Sequence, residues 1–275
     1  MRSLPPRGFD APIAVRDGYY TYEDPDFTIE NTNLSESDIE TINNAITLLS
    51  QFKKLTIHEE LAVVREKLRG EILQQGEQEQ VIEFEKKEVK GSELLAPLFK
   101  AITKKQAIRL DYKPFRSERI KDLVIHPYFL KQFNHRWYLL GFCQKHQNIG
   151  IYSLDRIENW EITKEKYIEN DKIDPETYFK DIIGVTIPEN EEIQEIIIKA
   201  DNRQLPYIKT KPLHHSQQII EENESGMTVQ LKLIPNYEFY SLILSYGDSV
   251  EILAPQKVRE EMKGKVGGMA MGYKR

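Results

Sequence analysis

The chain has 275 residues, a net charge of −6 and 30% charged residues, a composition typical of a globular protein with about two domains. It has no apolar run of membrane-spanning length and no signal peptide at its start, which predicts a cytoplasmic protein without a membrane partner. Its single cysteine, Cys143, excludes an internal disulfide framework and cysteine-based zinc sites.

Residues 1–33 predict one short β-hairpin, with a β-prone run on each side of the turn Arg16-Asp17-Gly18. Residues 34–90 predict a helical linker of two amphipathic helices, followed by a polar stretch with a short edge strand. The apolar stripes of the two helices have two interpretations. They either bury each other in a helical hairpin or form a spacer or dimerisation element.

Residues 91–165 predict one helix followed by five or six short strands, the pattern of a small antiparallel β-barrel. The most pronounced strand pair runs from His126 to Cys143 and turns at Asn134-His135, because Asn tolerates the left-handed backbone of a two-residue turn. This turn predicts a register that pairs Phe133 with Arg136 and Leu130 with Leu139.

Side chains alternate between the two faces of a strand. The predicted first face of the hairpin carries His126, Tyr128, Leu130, Gln132, Trp137 and Leu139, and the second carries Phe129, Lys131, Phe133, Arg136, Tyr138 and Leu140. Trp137 and Tyr138 therefore point to opposite sides, and at least one of them packs into the core.

Residues 164–187 predict a connection with a helix that starts at Asp174. Residues 187–263 then follow the order β-α-β-β-α-β, which is the ferredoxin-like pattern. The residues after Gly264 predict a frayed tail. The fold class is thus α+β: a helical linker, a small barrel and a ferredoxin-like C-terminal domain.

The sequence shows no catalytic constellation, which predicts a protein that is not an enzyme and that needs no cofactor. His214 and His215 are adjacent and do not share a face, so they predict no metal site. The segment from Lys100 to Arg136 carries a charge of +7 in an acidic chain, which indicates an anionic partner. The alternative is that these cations are only solvated and protect strand edges from pairing.

Cations beside aromatic rings on barrel strands are typical of nucleotide-binding surfaces, since cations bind phosphate and rings stack on bases. His126 precedes Pro127 and has no evident packing role, whereas Arg156 could instead form an ion pair with Asp155. The predicted ligand-binding residues are Arg119, His126, Tyr128, Lys131, Arg136, Tyr138, Tyr152 and Arg156.

Three spaced motifs carry a family resemblance: His126-Pro127-Tyr128, Trp137-Tyr138-Leu139 and Leu154-Asp155-Arg156-Ile157. Over about residues 92–163 they resemble the WYL domain of bacterial transcription regulators. Residues 187–263 resemble the WCX extension of these regulators, and residues 34–73 resemble their helical linker. The resemblance implies an Sm-like barrel that senses a nucleotide or single-stranded nucleic acid, an N-terminal winged helix-turn-helix that reads DNA, and a homodimer.

The sequence departs from the family pattern in two places. Residues 1–33 resemble only the wing hairpin of the DNA-reading domain, so duplex DNA is an expected partner only if an upstream helix-turn-helix exists. Gly150 stands where many members have an arginine, which implies a weaker anion site or a different ligand. The alternative hypothesis is a barrel that binds single-stranded RNA or DNA directly, without transcription-factor activity.

Overall fold

The computed structural model describes residues 13–16, 18–23, 41–42, 90–115, 118 and 120–274. The chain forms two compact units, Met1–Lys86 and Lys87–Arg275. In the first unit, β1 (Ile13–Arg16) and β2 (Tyr19–Tyr22) pair antiparallel. Gly18 lies in their turn with a φ of 82°, a conformation that glycine adopts without steric cost. The predicted hairpin is confirmed, and the predicted linker helices and edge strand lie outside the described residues except for helical positions 41 and 42.

The second unit begins with a single turn of 3-10 helix and an α-helix, followed by an antiparallel sheet of five strands. Leu95 and Leu98 lie on the buried face of this helix, α1 (Leu95–Thr103), which packs on the long strand β4 (Ile120–Phe133). The strand order is β6-β5-β4-β3-β7. The elements are α1 (Leu95–Thr103), β3 (Ile108–Tyr112), β4 (Ile120–Phe133), β5 (Arg136–Cys143), β6 (Asn148–Ser153) and β7 (Ile157–Ile162).

This sheet is open. Strands β6 and β7 form its two edges, and no ladder joins them among the described residues. A turn of 3-10 helix, Leu154–Arg156, carries the chain from one edge strand to the other. The predicted barrel is therefore correct as a set of antiparallel strands and wrong as a closed cylinder.

The register predicted for the central hairpin is confirmed, since Phe133 pairs with Arg136 and Leu130 with Leu139. Both turn residues, Asn134 and His135, have a positive φ. The first strand of this hairpin does not begin at His126 as predicted, because it is part of one continuous strand of 14 residues, Ile120–Phe133. A polar residue at a strand end marked a boundary in the sequence, but the backbone continues through it.

A β-bulge interrupts the alternation at Tyr128. Pro127 pairs with Gly141 and Phe129 with Leu140, which leaves Tyr128 as the additional residue of the long strand. A Cβ at Gly141 would lie 2.5 Å from the backbone oxygen of His126. Glycine therefore permits the close approach of the two backbones at this bend.

The bulge corrects the predicted faces of the hairpin. His126 pairs with Phe142, and directly paired residues share a face. Phe142 lies on the same face as Leu140 and Tyr138 because β5 itself is regular. His126 is therefore on the face of Lys131 and Arg136, whereas uninterrupted alternation had predicted the opposite one.

The other face of the sheet is the hydrophobic core of this domain. Ile108, Ile125 and Cys143 follow one another across three strands and are fully buried. Leu98 of α1 is also fully buried. Burial of such side chains stabilises the fold by about 1.5–3 kcal/mol each.

The C-terminal sheet is antiparallel, with the strand order β11-β8-β10-β9. Its core contains Ile196, Ile198, Leu231 and Phe239. Asn236 caps the helix that begins at Tyr237 by accepting a hydrogen bond from the Phe239 amide at 2.9 Å. The elements are β8 (Gln194–Ala200), α2 (Leu205–Thr210), β9 (Gln218–Asn223), β10 (Gly226–Leu233), α3 (Tyr237–Ser245), β11 (Val250–Ala254) and α4 (Gln256–Gly272).

Two expectations for this half of the chain are wrong. Residues 175–181 form successive turns and not a helix. Phe179 packs against Leu140, and the Asp181 carbonyl accepts a hydrogen bond from the Ile234 amide. Helix α4 does not end near Lys263 but continues to Gly272. No described helix is both long enough and apolar enough to cross a membrane.

Candidate ligand site on the five-stranded sheet

The segment that connects the two sheets, residues 164–187, covers much of the face that carries the predicted ligand residues. Its Phe179, Ile182 and Val185 are buried against Leu140 of β5. The rings of Phe129 and Phe179 meet edge to face with centroids 6.5 Å apart. The centre of this face is thus a second small core, and only its periphery is open to a ligand.

His126 lies beneath the connecting segment with 1% of its surface exposed. Its Nδ1 accepts a hydrogen bond from the Ile168 amide at 3.1 Å. Its ring lies 6.1 Å from the Phe142 ring and 5.9 Å from the Tyr167 ring. The interpretation that this histidine has no packing role is wrong, and its predicted contact with a ligand stays a prediction.

The environment of His126 favours the neutral imidazole. Burial lowers its pKa below the ordinary 6.5, and this effect exceeds the opposing influence of Gln144 and Glu165. A neutral ring can accept through Nδ1 and donate through Nε2. Among the described residues Nε2 has no hydrogen-bond partner.

Tyr128 and Tyr167 hold the connecting segment over His126. The Tyr167 hydroxyl donates to the Pro127 carbonyl at 2.7 Å, and the Tyr128 hydroxyl donates to the Glu169 carbonyl at 3.3 Å. Tyr128 is buried, and its burial raises its pKa. Both phenols therefore position this segment in the present conformation.

Tyr152 belongs to the core side of the sheet. It pairs with Leu139 and meets the Tyr112 ring edge to face at 5.3 Å. Burial strongly raises its pKa. Its ring lies over Gly150, where a Cβ would collide with it. The space that a side chain at position 150 would need is occupied by Tyr152.

Lys131 is half-buried beside the connecting segment. Its Nζ lies 4.5 Å from the centroid of the Phe179 ring, a cation–π contact. Burial lowers the pKa of this lysine. Its ammonium is thus engaged by an aromatic face in the described structure.

The open periphery lies at the tip of the hairpin. Arg136 Nη1 donates to Asp155 Oδ2 at 2.6 Å, and the Ser153 hydroxyl donates to the other oxygen of the same carboxylate. The Arg136 side chain remains 45% exposed while that of Asp155 is largely covered. The ion pair uses one of the five N–H donors of this guanidinium. Asp155 therefore pairs with Arg136, and the alternative of an ion pair between Asp155 and Arg156 is not found among the described residues.

Arg156 stacks on an exposed ring. Its Cζ lies 4.1 Å from the centroid of Phe115, which is 71% exposed. Its Nε is buried and has no acceptor among the described residues. A buried donor without a partner costs about 1–3 kcal/mol, so a ligand oxygen at this position would remove an existing penalty. Arg119, also predicted as a ligand residue, lies outside the described residues.

Tyr138 is two residues from Arg136 on the same strand and lies on the same face of the sheet. Burial raises its pKa, while the charges of Arg136 and Arg156 both act in the opposite direction. Asp155 and Glu238 are the carboxylates that also influence this phenol. We call Phe115, Arg136, Tyr138, Asp155 and Arg156 the tip cluster. The sequence did not single out Phe115 as a site residue, although it follows a Lys-Pro turn beside the basic segment.

The connecting segment also contacts a loop and a helix of the C-terminal domain. The Nε2 atoms of His214 and His215 both donate to the Lys180 carbonyl, at 2.7 and 2.6 Å. Glu238 Oε1 accepts from the amide and hydroxyl of Thr186. A Cβ at Gly184 of this segment would lie 2.6 Å from the Glu238 side chain and 3.0 Å from the Phe133 ring, so the tip of the hairpin lies next to the junction of the two sheets.

The described residues contain no group of three or more His, Cys, Asp or Glu side chains that could hold a metal ion. The tip cluster of guanidinium, phenol and phenyl groups offers hydrogen bonds, positive charge and stacking surface. These are the groups that bind phosphate and nucleobases.

Comparisons with known proteins locate two family matches in the chain. Residues 93–162 match the WYL domain, and residues 192–270 match the WCX domain. No curated protein matches the chain.

Two solved structures show a distant likeness to 67% of this chain. One is proteasome accessory factor B/C of Arthrobacter aurescens, which is 15% identical with a TM-score of 0.27. The match covers 28% of the length of that protein. The other is a CRISPR Cas-related protein, at 13% identity, a TM-score of 0.43 and 52% of its own length. Both TM-scores are below 0.5, and the chain spans less than two thirds of either protein.

Proposed function

Because this chain contains a WYL domain followed by a WCX domain, we propose that it is the ligand-sensing part of a transcriptional regulator. The proposed effector is a nucleotide or a single-stranded nucleic acid. The observation that carries this proposal is the tip cluster, with its buried Arg156 Nε that lacks an acceptor among the described residues. The proposal includes a cytoplasmic location and a binding role in place of enzymatic activity.

We also propose a fold for each of the two domains. A helix followed by five antiparallel strands, in which the last strand lies beside the first, supports an Sm-like fold for the WYL domain. The order β11-β8-β10-β9, with a helix after the first and third strands in sequence, supports a ferredoxin-like fold for the WCX domain.

The tip cluster supports an anionic ligand with a ring. Phosphate oxygens would bind the guanidinium groups of Arg136 and Arg156 through charge-assisted hydrogen bonds. Phe115, 71% exposed, offers a face on which a base can stack. The ligand would approach beside the junction of the two sheets, so its binding would bias the contacts that Glu238 makes with the connecting segment.

Binding of a fluorescein-labelled single-stranded oligonucleotide, measured by anisotropy over a series of salt concentrations, tests the proposal. We expect Arg156→Gln to weaken binding by about tenfold to a hundredfold, since a hydrogen bond to a charged group contributes about 1.5–3 kcal/mol. The slope of log affinity against log salt should become shallower by about 0.7 for each phosphate that the variant no longer binds. A mononucleotide titrated in parallel distinguishes a small effector from a strand.

Lys199→Gln is the matched control, because it removes one positive charge from an exposed position of the C-terminal sheet. An equal reduction of affinity in the two variants would mean that binding follows net charge alone. Unchanged affinity in Arg156→Gln would remove the tip cluster from the binding site.

A further inference from the structure

We propose that the end of α4 and the edge strand β9 are the two halves of a contact between two copies of this chain. The tail is defined as residues 263–274, and the acidic edge as residues 218–224. Both are exposed within a single chain, and both combine apolar side chains with charge of one sign. The proposal goes beyond the ligand-binding function and does not depend on it.

The apolar stripe of α4 continues past the domain that it packs on. Val258 and Met262 are buried in the core of the C-terminal sheet. Val266 and Met269 follow at spacings of four and three residues and therefore lie on the same side of the helix. They are nevertheless 49% and 51% exposed. Half of the stripe thus has a partner within the chain, and half does not among the described residues.

The tail has little to keep it helical by itself. It contains Gly264, Gly267, Gly268 and Gly272, and glycine weakens a helix interior. No described atom outside the helix backbone lies within 4 Å of a Cβ built at any of these positions. Near the start of the tail, Lys265 still reaches its own domain, with its Nζ 4.8 Å from the Tyr240 ring centroid. A surface that covers the exposed stripe would supply the packing that these glycines do not.

The acidic edge is equally uncovered. All six residues of β9 are exposed, including Ile219 at 45% and Ile220 at 54%. Ile219 pairs with Val229 and Glu221 with Thr228, which leaves Ile220 as the additional residue of a β-bulge. Neither isoleucine is covered within the chain. β9 is also the outermost strand of its sheet, and one side of its backbone remains available for pairing.

The charges of the two surfaces indicate that the tail of one copy covers the acidic edge of the other. The tail contains Lys263, Lys265 and Lys274 and no acidic residue, whereas the acidic edge contains Glu221, Glu222 and Glu224 and no basic residue. Glu222 already pairs with Lys209 of the same chain, so Glu221 and Glu224 are the carboxylates that would attract the tail. Positive potential opposite negative potential orients two surfaces and excludes wrong partners. An antiparallel pairing of two tails would instead oppose lysines to lysines. The tail of one copy therefore fits the acidic edge of the other, and a two-fold axis makes the contact twice.

Charge reversal tests this contact in the full chain by sedimentation velocity across micromolar concentrations. The wild type is expected at twice the chain mass of 32.2 kDa. Lys263→Glu with Lys274→Glu, and separately Glu221→Lys with Glu224→Lys, should each raise the dimer dissociation constant on the order of a hundredfold, because like charges then face each other. The four substitutions together restore opposite charges and the wild-type net charge, and should restore the dimer.

Met269→Glu tests the apolar part independently and should also yield monomer. These positions are exposed, so the fold of one chain should tolerate the substitutions. A monomeric wild type, or dimers that survive either double reversal, would overturn the proposal. Failure of the fourfold variant to restore the dimer would overturn the pairing of these two surfaces.

Discussion

The two ends of the β4–β5 hairpin lie on one face of one sheet and have opposite characters. At its base, His126 is enclosed by Phe142, Tyr167 and the connecting segment. At its tip, Arg136 and Arg156 retain donors that the described residues do not use fully. The difference lies in what covers the sheet: the connecting segment packs on His126, whereas the Arg136 side chain remains 45% exposed.

This comparison shows why a polar residue in a family motif need not contact a ligand. His126 accepts a hydrogen bond from the Ile168 amide and so fixes the path of the chain over the sheet. His126 Nε2 and Arg156 Nε are both buried and without a partner among the described residues, but only Arg156 stacks on an exposed ring, Phe115. We therefore expect substitutions at the base to change stability and substitutions at the tip to change affinity.

The largest expected effect is at the base. His126→Ala should lower the free energy of unfolding by roughly 3 kcal/mol, since it leaves a cavity among aromatic rings and removes the acceptor of a buried amide. Urea unfolding measures this change. His146→Ala, in an exposed turn, is the control and should be neutral. A decrease below about 0.5 kcal/mol at His126 would contradict its structural role.

A pair of glycines tests the bend of the long strand. Gly141 of β5 and Gly150 of β6 are directly paired on neighbouring strands. Gly141→Ala would place its Cβ 2.5 Å from the His126 backbone oxygen, and we expect a destabilisation of about 2 kcal/mol because the backbone cannot move aside. Gly150→Ala meets only the end of the Tyr152 ring and should cost less. Equal costs in thermal or urea unfolding would mean that the close approach at Gly141 is not required.

The stability of the protein should depend on pH through two buried histidines, His126 and His214. Burial lowers the pKa of His126 in the folded state, and that of His214 likewise. The unfolded chain therefore binds protons first as the pH falls. The contribution of each neutral histidine is complete above pH 6.5 and decreases as the pH falls from there toward the folded-state pKa.

Urea unfolding at pH 7.5 and at lower pH measures this decrease, and the His126→Ala variant should show a shallower dependence. If the variant and the wild type have the same slope below pH 6.5, His126 does not contribute to it. The His214→Ala variant separates the share of the second histidine.

The smallest expected effect on stability is at the tip. Asp155→Asn removes the ion pair with Arg136, whose side chain is 45% exposed, so the destabilisation should stay below about 1 kcal/mol. Binding of the single-stranded probe should tighten, because the carboxylate no longer competes with phosphate for this guanidinium. Weaker binding would instead show that Asp155 positions Arg136 for the ligand. Anisotropy titration distinguishes the two outcomes.

The sequence alone determined the local features of this protein. Asn134-His135 set the turn and the register of the hairpin, because few residues adopt a positive φ there. Apolar alternation and turn residues located most strands. The three motifs of the WYL domain could be recognised in the sequence because each consists of three or four consecutive residues.

Tertiary structure decided which side of the sheet each residue occupies and what covers it. The bulge at Tyr128 moved His126 to the other face, because one additional residue reverses every side chain beyond it. Segment 164–187 covers that face through contacts between residues about 40 positions apart, such as Tyr167 with Pro127. The alternation of apolar and polar residues along a strand carries no information about such long-range contacts. These contacts bury the base of the hairpin and leave its tip open.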